Sequence, residues 1–120
     1  MRRVTTFALG VLLLCAVAIS ANATTITVTN TNDSGAGSLR QAVTDSHDHD
    51  TITFDPALNG QFITLTSSEL VIDKSITING PGPDMLAVSR SPNTPFRIFH
   101  VMPGFTVTIA GLTISGGNSG

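Results

Sequence analysis

The chain has neither tryptophan nor tyrosine, a single cysteine at Cys15, and only 12% charged residues. Each shortage closes a route. Without Trp or Tyr there is no aromatic platform of the kind that stacks on sugar rings or anchors an interface. Six Lys and Arg in 120 residues make no basic patch, which argues against nucleic acid or an anionic membrane surface as a partner. The one long apolar run, from Phe7 to Ile19, is shorter than the roughly 20 residues a membrane span needs.

That run lies between Met1-Arg2-Arg3 and Ala21-Asn22-Ala23. Charged, apolar and small-residue parts in this order predict a secretory leader over residues 1–23, cut after Ala23. A lipoprotein signal through Cys15 would place a small residue where Leu14 stands. The mature part, residues 24–120, has 97 residues (120 − 23) and no cysteine, so disulfides cannot stabilise it. Its Arg40, Lys74, Arg90 and Arg97 stand against eight carboxylates, a formal charge of 4 − 8 = −4.

What the chain does have is a recurring phrase of alternating aliphatic and polar residues running into a turn. Ile76-Thr77-Ile78-Asn79-Gly80 and Leu112-Thr113-Ile114-Ser115-Gly116 are its clearest copies, with looser ones at Ile26-Thr27-Val28-Thr29-Asn30 and Ile52-Thr53-Phe54-Asp55. Strands are expected at 51–54, 62–66, 70–72, 75–78, 86–89, 97–101, 105–109 and 112–114. Aliphatics two apart with Thr between them put one face in a core and the other in water. Asn79 and Ser115 follow equivalent strands, where they either hydrogen-bond neighbouring turns or serve as ordinary turn residues.

Ser38 and Gln41 have the spacing of a capping box. Leu39, Ala42 and Val43 fall at i, i+3 and i+4, which predicts a helix of about two turns from Ser38 to Asp45 with one apolar stripe. The repeat points to an all-β, right-handed parallel β-helix, a solenoid with this helix as its N-terminal cap. An antiparallel sandwich is the rival, but hairpin turns with matched flanking strands are scarce and the phrase repeats in one N-to-C sense.

The run Thr29-Asn30-Thr31-Asn32-Asp33-Ser34-Gly35-Ala36-Gly37-Ser38-Leu39-Arg40-Gln41-Ala42-Val43, then Asp50-Thr51-Ile52-Thr53-Phe54 and Ile76-Thr77-Ile78-Asn79-Gly80, resembles the N-terminal segment of bacterial secreted right-handed β-helix proteins. Those often carry a Ser-Leu-Arg-Glu-Ala motif and are similar to polymorphic outer-membrane and surface-passenger proteins. The resemblance implies a secreted or cell-surface protein, outer-membrane associated and adhesin-like. Many members have Cys where this chain has Gly37. Members are also much longer, so the chain reads as the opening of such a protein, truncated at its C-terminus. Its uncharged last strand is then expected to need further coils or an end-to-end partner.

No catalytic residue, cofactor site or metal site is expected. The residues best placed to bind a metal are His47, Asp48, His49 and Asp50, with Asp45 nearby, because imidazoles and carboxylates suit divalent ions; a solvated loop uses the same residues. Ser38, Leu39, Arg40, Gln41, Asn79 and Gly80 are expected to be structural. The functional expectation is a structural or adhesive segment whose partner is a surface glycan or protein. The alternative is a polysaccharide lyase or glycoside hydrolase drawing on Asp55, Glu69, Asp73 and Asp84, with Arg90, Arg97 and His100 as base or charge stabiliser.

Overall fold

The computed structural model describes residues 23–93 and 95–116. The leader, apart from Ala23, lies outside the described residues. In chain order come β1 (Thr25–Val28), α1 (Leu39–Asp45), β2 (Thr51–Phe54), a 3-10 turn (Pro56–Leu58), β3 (Gln61–Leu65), β4 (Leu70–Ile72), β5 (Thr77–Asn79), β6 (Leu86–Arg90), β7 (Phe99–Val101), β8 (Thr108–Ala110) and β9 (Thr113–Ser115).

The strands form three sheets, ordered β1-β2-β5-β8, β3-β6-β9 and β4-β7. Every pairing is parallel, so each pair needs a long connection; between β1 and β2 that connection contains α1. In the first sheet Ile26, Ile52, Ile78 and Ile109 stand in one register column. In the second, Ile63, Val88 and Ile114 do the same.

The expectation of an all-β right-handed β-helix with a capping helix is corrected. The described residues make a mixed α/β arrangement of three small parallel sheets and one helix. Leu39, Ala42 and Val43 of α1 belong to the same buried cluster as the strand residues. The repeated phrase misled for a physical reason. Its copies do not all share one ladder: Ile26, Ile52 and Ile78 lie in the four-stranded sheet, whereas Thr113-Ile114 lie in the three-stranded sheet. Alternation of Ile and Thr reports a half-buried strand, whichever sheet it joins.

Val28, Leu39, Ile52, Ile63, Leu65, Ile72, Ile78 and Val88 are fully buried. Each such aliphatic contributes about 1.5 to 3 kcal/mol relative to exposure, and with no cysteine after residue 23 this burial is the main source of stability.

Candidate functional site

The densest polar constellation surrounds Arg40. Ser38 starts the helix: its hydroxyl accepts from Gln41 N–H (3.1 Å) and donates to Gly35 O (2.7 Å). The reciprocal half of a capping box is not formed, because Gln41 Nε2 turns away to Asp45 Oδ1 (2.8 Å). One residue into α1, Arg40 donates to Asp33 O (3.0 Å), Asp33 Oδ1 (3.2 Å), Ser68 O (2.7 Å) and Glu69 O (2.9 Å). A planar guanidinium with five donors suits such a fan of acceptors. It ties the turn after β1 to the corner between β3 and β4. The Asp33 carboxylate also accepts from Thr66 N–H (2.9 Å) and the Ser67 hydroxyl (2.7 Å). Burial alone would raise its pKa, but the Ser67, Thr66 and Arg40 hydrogen bonds outweigh that and hold it below the usual carboxylate range. At the other end of α1, Lys74 Nζ donates to Val43 O (3.1 Å) and Thr44 O (3.2 Å), a cation on the carbonyls of the last turn.

The segment from His47 to Asp50 is organised around backbone N–H groups. Buried Asp50 accepts from Thr24 N–H on Oδ1 (2.9 Å) and from His47 N–H on Oδ2 (2.8 Å). The Thr24 and His47 hydrogen bonds lower its pKa. Asp48 Oδ1 accepts from Ser75 N–H (2.8 Å), and His49, at φ 76°, donates its N–H to Ser75 O (2.6 Å). The His47 side chain is 89% exposed, with Nδ1 3.9 Å from Asp50 Oδ2. The two carboxylates thus fasten the start of β1 and the approach to β5. Among the described residues no group of three or more His, Cys, Asp and Glu is placed to hold a metal ion.

The acids named for glycoside chemistry are dispersed. Asp55 caps the 3-10 turn, accepting from Ala57 N–H (2.9 Å). Asp73 is largely exposed beside Lys74. Asp84 lines a shallow groove with exposed Phe62 and Met85. Only Glu69 gathers partners: its Oε2 lies 2.6 Å from His100 Nδ1 and its Oε1 3.5 Å from Arg97 Nε. Both contacts bridge from the segment before β4 to β7 and its approach. Arg90 ends β6 and donates to Ser91 O (3.2 Å).

The outer face of the four-stranded sheet is different in kind. Thr25, Thr51, Thr77 and Thr108 form one register row, and Thr27 pairs with Thr53 in the next. The Thr27 and Thr53 hydroxyls are 3.3 Å apart. Asn79 pairs with Ala110, while Ser115 lies in another sheet, so the two do not form one ladder. Gly80 has a separate role: a Cβ on Gly80 would strike the Gly111 carbonyl, and one on Gly111 the Gly80 carbonyl. Two corners abut there, held by Gly80 N–H to Ala110 O (2.8 Å) and Gly82 N–H to Gly111 O (2.8 Å).

Sequence reasoning passed over Asp33 and Lys74. The Asp33/Arg40 charge pair was readable within the quoted run, but Lys74 meets α1 from 31 residues away, which no local pattern reveals. No family model, curated protein or solved structure matches the chain. The resemblance drawn from the Ser-Leu-Arg run therefore rests on those residues alone.

Proposed function

We propose that the chain is exported and acts as a structural or adhesive surface module with no catalysis of its own, its partner a surface glycan or protein. The observation that supports this reading is the threonine-clad outer face of the four-stranded sheet. Six Thr stand in two rows on an uncharged face, with neighbouring strands about 4.8 Å apart and successive outward residues about 6.6 Å apart along each strand. The backbone ladder below holds these hydroxyls in a fixed array. Such a surface suits many weak, simultaneous hydrogen bonds to an extended partner rather than turnover of a small one. A glycan would be held here by hydroxyl contacts, since there is no Trp or Tyr to stack on it.

Sedimentation of the mature chain with insoluble cell-envelope glycan tests the reading. Retention is expected, and a Thr51→Lys/Thr53→Lys chain with an unchanged circular-dichroism melt should lose it by roughly tenfold or more. Equal retention of the two chains, or none by either, would sink it.

A second reading is favoured by one contact set, the Glu69–His100 and Glu69–Arg97 pairs, which offer a base with its orienting group for a polysaccharide lyase or hydrolase. Release of new reducing or unsaturated ends from polysaccharide, abolished by Glu69→Gln, would support it over adhesion.

A further inference from the structure

We propose that removal of the leader locks the fold: hydrolysis of the Ala23–Thr24 bond creates an α-ammonium at Thr24 that forms a partly buried ion pair with Asp50. The proposal rests on the export reading for its setting and on the geometry around Asp50 for its chemistry.

Thr24 N is 2.9 Å from Asp50 Oδ1. In the uncut chain that nitrogen is a neutral amide. Hydrolysis adds water across the bond: the hydroxyl goes to the Ala23 carbonyl carbon, which leaves as a carboxylate, and the released Thr24 nitrogen gains protons to become an ammonium. An endoprotease of the signal-peptidase class and water are the only reagents needed. Both Ala23 and Thr24 are exposed, so the bond is reachable.

The carboxylate, by contrast, is 3% exposed. Asp50 is the one carboxylate among the buried polar residues. The Thr24 and His47 N–H groups and the Thr24 side chain already favour its charged form, and a full positive charge on the Thr24 nitrogen, an atom already in contact, turns one neutral hydrogen bond into a stronger charge-assisted one. The contact also sets the strand register, because Thr24 O accepts from Thr51 N–H (2.9 Å) and Asp50 O from Thr77 N–H (3.0 Å). The new terminus would thus clamp β1, β2 and β5 at one point.

The titratable groups around the pair are His47, Asp48 and His49 on the connection into β2, and Lys74 on the approach to β5. Lys74 is directed to α1 and Asp48 to Ser75 N–H. His47 Nδ1 lies 3.9 Å from Asp50 Oδ2, on a side chain that is itself 89% exposed. An ammonium beside a carboxylate has its pKa raised above the ordinary 7.7 to 8.0 or so. Its contribution is therefore complete below about pH 7.7 and is lost as pH rises through the higher folded value.

Thermal melts of residues 24–120 with a free Thr24 amine, the same chain N-acetylated, and the chain with its leader retained test this. At pH 7 the free-amine chain should melt about 4 to 8 °C above the other two, and the gap should close by pH 10. In Asp50→Asn the free and acetylated forms should melt together. If that variant fails to fold, the amine's own titration by NMR decides, with a pKa in the ordinary range counting against the pair. Equal melts of free and acetylated chains at pH 7 would overturn the proposal. The recombinant chain beginning at Thr24 tests the ion pair wherever the cell cuts, while the mass of the exported chain tests the cut.

Discussion

Where α1 meets β1 and β4, its Leu39, Ala42 and Val43 are at most 4% exposed. At the opposite end of the sheets Ile114 is 46% exposed, with Val101 at 39% close behind. Yet Ile114 stands in the same register column as Ile63 and Val88, both fully buried. The side chains are alike; what differs is whether a neighbour lies over them. Among the described residues a helix finishes one end of the core and nothing finishes the other. β8 and β9 therefore offer unpaired backbone on uncharged edges, the kind of edge that recruits another strand.

The contrast predicts unequal costs for similar changes. Leu39→Asp should be the most severe, at about 4 kcal/mol or more, combining a lost buried Leu with an unpaired buried charge. Ile114→Asp, the same kind of change at the open end, should cost about 1 kcal/mol or less. Urea melts of the two would break the comparison if the costs came out equal.

Arg40→Lys should come next, at roughly 1 to 3 kcal/mol. An ammonium cannot serve the carbonyls of Asp33, Ser68 and Glu69 together with the Asp33 carboxylate. Acid should weaken the α1 end first. The folded-state pKa values of Asp33 and Asp50 are lowered, so their contribution is present above the ordinary carboxylate pKa of about 3.9 and is lost as pH falls through the lower folded values. Asp33→Asn should flatten the acid limb of the stability profile measured by circular dichroism. The smallest effect on stability belongs to Ile114→Lys, within about 0.5 kcal/mol. Sedimentation at micromolar concentration should nonetheless show it less self-associated than the parent chain; identical sedimentation would mean that the open edge recruits nothing.

The division between legible and illegible features follows sequence distance. Ser38, Leu39, Ala42 and Val43 disclosed α1 because capping and the helical period act within a few residues. Strand positions were readable to within about three residues, the widest miss being the strand expected to start at 105 that starts at Thr108, since alternation is also local. Sheet membership was not. Ile76-Thr77-Ile78 and Leu112-Thr113-Ile114 look like copies, but they end in different sheets because pairing is decided by what each strand meets after the chain has turned. The same limit hid Lys74 beneath α1 and Thr24 beside Asp50. Gln41 is a local failure of another sort: its side chain had two acceptable partners, and Asp45 on its own helix won.

The register columns carry one more consequence. In the first sheet Ile26, Ile52 and Ile78 follow at intervals of 26, and Ile109 comes 31 residues after Ile78. The five additional residues leave the pairing intact, with Gly80 and Gly111 still abutting at the corner. Length variation is thus absorbed between strands, in connections such as the stretch between β6 and β7. For an engineer, exposed Pro92 and Asn93 in that stretch, ahead of buried Ile98, are the place to graft a peptide or a tag. For selection, it is where the molecule can acquire a new loop without renegotiating its core.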